Sequence, residues 1–393
     1  MENKQKKKYR VSDILSIAGL LVIIYGFAAA TLIVPDTEFS EDENRMLQQK
    51  PKLTVETLVN GTFTSEIAKY FADQFPMRNL FVGAKAVAEI SLQKQENDDV
   101  LLGKGGHIIA KDDYPDYAEV DKNIKALKRF DEALGETDFR VAVAGRAQDA
   151  LTSYMPALYP GEEISDTIFS YFSENLGAIP QIELLDPLRA KADAGEYVYY
   201  RTDHHWTTLG AYYAYVEIMN AYGMEAYPLE HFTRETVSEA FYGTTWSKAG
   251  MKWIGPDSME FFRWDGDDAM ITEITDNGEK MEGMYDRSYL DVKDKYSAFI
   301  GGNNGHVRIY PADSSPLAKT KRETMVLIKD SFGHSLAPFL AAHFDLEIID
   351  LRYYKLPLID LVRDTGADKV LVMYNMDSVT NSNSLQMLNL GLR

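Results

Sequence analysis

With 393 residues and 45% hydrophobic content, the chain has room for one large domain or two modest ones around a real core. A net charge of -19 argues against nucleic acid as partner, because binding a polyanion takes clustered Lys and Arg. The absence of cysteine excludes structural disulfides, Cys-ligated zinc and a thiol nucleophile, and it fits a protein exported from the cell.

In chain order, residues 1–12 read as a cytoplasmic tail, with Lys4, Lys6, Lys7, Lys8 and Arg10. Residues 13–34 follow as a transmembrane anchor, charge-free from Ile14 onward and ending at Pro35-Asp36. A run of roughly 20 apolar residues crosses a bilayer as a helix. The basic flank stays inside, which places everything from Asp36 onward outside the cell. The alternative is a cleaved signal peptide, with Ala28-Ala29-Ala30 near the cut and a secreted product. Residues 35–98 read as a membrane-proximal tether with amphipathic helices at 64–75 and 78–94.

Residues 99–393 form the working domain. A hairpin is predicted over 101–109, helices over 116–134, 166–176, 207–222, 335–343 and 358–365, and strands over 139–144, 182–185, 324–328, 345–350 and 369–373. Strands alternating with helices predict an α/β fold with a mostly parallel sheet, whose ligands bind beyond the carboxyl ends of the strands. Residues 225–320 break the pattern and read as an irregular or β-rich insertion. Its Trp246, Trp253 and Trp264 suit either sugar stacking or its own core.

Two short segments carry the chemistry. Ser331, in Lys329-Asp330-Ser331-Phe332-Gly333, stands where an apolar strand gives way to a helix. There it is either an N-cap or a nucleophile beside free N–H groups. Asp203-His204-His205-Trp206 precedes another helix. In an extended segment the i, i+2 spacing puts Asp203 and His205 on one side, so that Asp203 can orient His205 while its other nitrogen faces Ser331. A metal site is the rival reading of the same residues, although neither HExxH nor cysteine spacing supports one. No cofactor is called for.

Thr202-Asp203-His204-His205-Trp206 resembles the hallmark of the bacterial DHHW protein family. It is also similar to the Thr-Asp-x-His-Trp segment of the alginate O-acetyltransferase family, whose fold is SGNH-hydrolase-like. Asn44-Arg45 and the segment from Phe71 to Arg78 look like that family's amino-terminal signature. The resemblance implies a catalytic Ser331, His205 and Asp203, with the acid and base preceding the serine in the chain. It also implies oxyanion donors from the Ser331 amide and the Asn375 side chain. Arg352, His204 and Trp206 are further candidates for oxyanion or substrate contact. The departures are a missing glycine before Asp330-Ser331 and a missing Gly-x-Asn-Asp pattern around Asn375.

The activity so implied is serine-dependent O-acetylation of a cell-surface or secreted polysaccharide. No acetyl-CoA is available outside the cell, and the resemblance implies as acyl donor a partner, a multi-spanning membrane O-acyltransferase. A carbohydrate esterase using the same triad, and a non-catalytic glycan-binding module, remain alternatives.

Overall fold

The computed structural model describes residues 11–111, 115–157, 159 and 161–392, so the basic residues 1–10 lie outside it. The chain divides into two compact units at Leu92 and Gln93. The sequence puts the boundary at 98/99. It falls earlier because Glu96–Asn97 pairs with Val100–Leu102, which pairs in turn with Ile108–Ala110. The predicted hairpin is thus two strands of a three-stranded sheet.

The first unit opens with α1 (Val11–Ile33), 23 residues of mean hydropathy 2.2 and exposed along most of its length. It is long and apolar enough to cross a membrane, and it suits a signal anchor or a signal sequence equally. After it come α2 (Val55–Val59), α3 (Thr62–Asp73) and α4 (Arg78–Ser91). Thr54 caps α2 by accepting from the Thr57 amide at 3.1 Å. The Arg45 guanidinium grips both oxygens of Asp73 at 2.9 and 2.5 Å, and the Gln48 amide donates to the same carboxylate at 2.9 Å. Arg78 pairs with Glu43. The two amino-terminal signature segments are therefore one joint. The Arg45 hydrogen bond outweighs desolvation and holds the Asp73 carboxyl below the usual carboxylate range.

The second unit is built on one mixed sheet of eight strands. They are β1 (Asp138–Ala144), β2 (Gln181–Glu183), β3 (Met270–Ile274), β4 (Glu279–Glu282), β5 (His306–Pro311), β6 (Glu323–Lys329), β7 (Phe344–Ile349) and β8 (Lys369–Asn375). Their order is β4-β3-β5-β7-β6-β8-β1-β2. The five strands from β7 to β2 run parallel, and β5, β3 and β4 continue the sheet antiparallel. The region read as an insertion is thus partly sheet, since it supplies three of the eight strands. Met325, Val326, Leu327 and Ile328 of β6 are wholly buried, as expected for a central parallel strand. At the two edges stand β2, three residues long, and β4, whose sequence is Glu-Lys-Met-Glu.

Helix Tyr117–Leu134 is capped by Asp116, which accepts from Ala118 and Glu119, and it packs with Leu358–Thr365 and Met376–Asn381. Helix Thr208–Ala221 packs with Gly333–Leu340, and its cap, Thr207, accepts from the Gly210 amide at 3.1 Å. Trp246 and Trp264 are buried in the core, whereas Trp253 stays 45% exposed.

Candidate active site

Ser331 follows β6 by two residues and precedes helix Gly333–Leu340, at the carboxyl edge of the parallel strands. The turn is tight. A Cβ on Gly333 would stand 2.6 Å from that of Lys329, so only glycine lets the helix start this close to the strand. The Asp330 carboxylate braces the turn by accepting from the Phe332 amide at 2.9 Å, the Asn375 amide at 2.7 Å and the Ser378 hydroxyl at 2.7 Å. These bonds tie the end of β6 to the end of β8. Burial pushes the Asp330 carboxyl up, against the pull of those three donors.

The partner segment is one limb of a closed loop. Tyr199 and Trp206 face each other in an isolated antiparallel bridge, and the Tyr200 amide donates to the His205 carbonyl at 3.2 Å. Residues 201–205 are bent rather than extended. Asp203 and His205 meet through an Asx turn, in which Asp203 Oδ1 accepts from the His205 amide at 3.0 Å. The same oxygen lies 2.5 Å from His205 Nδ1, and His205 Nε2 lies 2.7 Å from Ser331 Oγ. An ionised carboxylate only accepts, so Nδ1 carries the proton and Nε2 accepts from the serine hydroxyl. The three side chains chosen from the sequence therefore form one hydrogen-bonded line, although the backbone reason for it is a turn.

Asp203 Oδ2 accepts from the Thr244 amide at 2.8 Å and its hydroxyl at 3.1 Å. Gly243 stands so close that a Cβ there would overlap the Asp203 side chain. Burial raises the Asp203 carboxyl, but His204, His205 and the Thr244 amide outweigh it and hold the group well below the usual range. Tyr296 stacks on the His205 ring with centroids 3.9 Å apart and planes 11° apart. Its hydroxyl meets Ser335 Oγ at 2.9 Å.

The fates of the other candidates differ. Arg352, His204, Asn375 and Ser331 line one pocket of about 370 Å³, together with Arg146, Thr244 and Lys248. Arg352 forks onto Asp350 at 2.9 and 2.6 Å, and Asp350 also accepts from the buried Lys329 ammonium at 3.2 Å. The Asn375 side-chain Nδ2 donates to the Gly145 carbonyl at 3.0 Å while its Oδ1 caps the next helix by accepting from the Asp377 backbone amide at 2.9 Å, which leaves one side-chain N–H uncommitted. The Ser331 amide meets no acceptor among the described residues. His204 Nδ1 lies 2.7 Å from the Thr244 hydroxyl, with the side chain 43% exposed.

Trp206 is a correction. It is wholly buried, outside the pocket, and its indole N–H donates to the Phe332 carbonyl at 3.1 Å and to Ser335 Oγ at 2.9 Å. Its size and single donor make it a strut holding the Ser331 turn, not a substrate contact. The rival metal reading has a geometric basis, because ligand atoms of Asp203, His204 and His205 lie within 4.8 Å of one another. Both nitrogens of His205 and both oxygens of Asp203 are nevertheless engaged within the protein, which favours a proton relay.

Sequence reasoning missed Thr244 and Tyr296, because both sit in the stretch without periodicity, far along the chain from what they support. It also passed over Asp330 and Arg146, although Asp330 adjoins the serine in the segment singled out.

The electrostatics predict a pH profile. Burial pulls the His205 imidazole down, His204 adds to the effect, and Asp203 only partly opposes it, leaving the group at about 4. A general base works neutral, so kcat/KM on an activated ester should stay level from neutrality downward and halve near pH 4 rather than 6.5. In His204→Gln the residue that disfavours the imidazolium is gone, and the acid limb should move to higher pH. An unmoved limb would show that His204 does not act on His205.

Residues 165–349 match the family described as DHHW protein, a span that includes both Asp203–Trp206 and Ser331. A "Probable alginate O-acetylase AlgJ" of Pseudomonas syringae pv. tomato is 26% identical over 197 residues, 47% of this chain and 48% of the relative. The chain spans about half the length of the curated relatives it matches. A DHHW family protein from Eubacterium siraeum superposes with a TM-score of 0.64 at 23% identity, covering 76% of this chain and 97% of that one. Bacillus cereus PatB1 with a sulfonyl adduct gives 0.60 at 17%, covering 74% and 98%. These two structures show that the α/β fold with its mixed sheet is shared. Over residues 165–349 the chain is similar to the DHHW protein family, and over 197 residues it is similar to the probable alginate O-acetylases.

Proposed function

We propose that this chain is an extracytoplasmic, membrane-anchored O-acetyltransferase with an SGNH-like catalytic domain, modifying a cell-surface or secreted polysaccharide through an acyl-serine. The observation that carries the proposal is the continuous hydrogen-bonded line from Asp203 through His205 to Ser331, opening on a pocket at the carboxyl ends of the strands. The names of the curated relatives support O-acetylation of a glycan.

In this reading His205 Nε2 takes the Ser331 proton as Oγ attacks the acetyl carbonyl of the donor. The oxyanion is met by the Ser331 amide and the free N–H of Asn375. The tetrahedral species collapses, the leaving oxygen or sulfur departs with the proton from His205, and an acetyl ester remains on Ser331. A sugar hydroxyl then gives its proton to His205, attacks the ester and leaves acetylated, and the proton returns to Ser331. Asp203 stays ionised and keeps the imidazole in its working tautomer. The donor is supplied by a multi-spanning membrane O-acyltransferase. No metal or organic cofactor takes part.

The test is to incubate the purified protein with an activated acetyl ester, with and without sugar oligomers, and to follow the acetyl mass on the Ser331 peptide. An adduct discharged faster by sugar than by water supports the transferase. Discharge to water at the same rate in both would make the protein an esterase. No adduct on a folded protein would sink the serine mechanism.

A further inference from the structure

We propose that the turn between α3 and α4 dips into the hydrocarbon of the bilayer crossed by α1, so that the first unit is clasped in the membrane and not merely tethered to it. The inference rests on reading α1 as a retained anchor. Only one side of α1 loses exposure: Phe27, Ala30 and Thr31, at helical i, i+3 and i+4 spacing. What meets that side is named by ring geometry. Phe75 stacks on Phe27 with centroids 4.9 Å apart, Phe81 meets it edge-on at 5.7 Å, and Phe75 and Phe81 touch each other at 5.6 Å.

The depth follows from the helix. Phe27 stands about 9 Å short of the helix end at Ile33, at 1.5 Å rise per residue. The apolar run is just long enough to fill a core about 30 Å thick, so Ile33 lies near its outer boundary. Rings packed on Phe27 therefore sit about as deep as Phe27 does. The surrounding surface agrees, since Met77 is 61% exposed, Leu80 59% and Phe81 47%. Met77, exposed in this turn, adopts a left-handed backbone (φ 61°), a conformation better suited to glycine or asparagine.

Polar groups lie where the headgroups would be. The Tyr70 hydroxyl donates to Asp36 Oδ1 at 2.8 Å, just past the end of the span. The Arg45–Asp73 pair lies on the same α3 side, at the helix end, and on the α4 side Arg78 pairs with Glu43 and the Asn79 side chain donates to Asp42. An apolar tip beneath a polar collar is the pattern of a segment lying in the membrane interface.

The absence of cysteine makes the test clean. Full-length protein carrying Met77→Cys, Leu80→Cys or, as an exposed control in the second unit, Lys125→Cys would be spin-labelled in liposomes of phosphatidylethanolamine and phosphatidylglycerol. Intact mass would report whether α1 is retained. The proposal expects labels at 77 and 80 to be relaxed preferentially by oxygen over a water-soluble nickel chelate, by tenfold or more relative to 125. With α1 retained, chelate-accessible labels at 77 and 80 would overturn the clasp and leave the anchor standing. Labels shielded from both relaxers would mean that protein, not lipid, covers the turn, and would overturn it too. A mass lacking α1 would overturn both the clasp and the anchor. None of these readouts depends on catalysis, so failure here is distinguishable from failure of the proposed activity.

Discussion

Replacing Ser331 with alanine is expected to lower kcat/KM on an activated acetyl ester by about 10⁴- to 10⁶-fold, as loss of a triad nucleophile does elsewhere. The fold should barely notice. The hydroxyl makes one side-chain bond, to His205 Nε2, and a bond of that kind contributes about 1 kcal/mol net. The turn is held by other groups, chiefly the Asp330 carboxylate and the Trp206 indole. The melting temperature should fall by no more than about 4 °C. Activity within tenfold of the parent, on a protein that melts normally, would remove Ser331 from the mechanism.

Asp203→Asn should cost about 10⁴-fold in kcat, for a reason visible in the hydrogen bonds. Four donors converge on the carboxylate, two from His205 and two from Thr244. An asparagine amide offers one acceptor and one donor. If its oxygen faces His205, its NH2 opposes the Thr244 amide. If it flips, its NH2 opposes His205 Nδ1 and drives the ring proton to Nε2, where it confronts the serine hydroxyl. One orientation strains the support and the other spoils the base. A buried donor left unpaired costs about 1–3 kcal/mol, so this variant, unlike the serine one, should also lose stability. Chemical denaturation alongside single-turnover kinetics would separate the two losses. An enzyme within tenfold of the parent rate would show that the acid does not orient the imidazole.

These effects concern residues that could be read directly from the sequence, because their chemistry is written in two short contiguous segments. The parallel strands were legible for a similar reason. Met325 to Ile328 and Val370 to Met373 are apolar runs bounded by polar residues, and burial on both faces leaves no other pattern. The antiparallel extension was harder. His306–Pro311 alternates in burial, and Asn277-Gly278 between β3 and β4 is a strong hairpin signal, yet each strand is short and sits among irregular turns that drown the period. Thr244 and Tyr296 were beyond reach. Each acts on the triad through contacts with a residue 41 or 91 positions earlier, and no local spacing encodes such contacts. Asn375 shows the converse. Its place beside the serine was foreseen by resemblance, but its bonds to Gly145 and Asp377 depend on how two strand ends meet.

The sheet's outer strands bear on how such molecules behave in a crowd. An open sheet leaves a row of unpaired amides and carbonyls on each flank, and any neighbour with a free strand can lengthen it. One flank is only three residues long, and the other, Glu279-Lys280-Met281-Glu282, carries three charges in four positions. A strand arriving there finds either too few partners or a fence of ions to strip of water. Both flanks of the sheet thus carry their own guard against being lengthened by a neighbour, one by brevity and the other by charge.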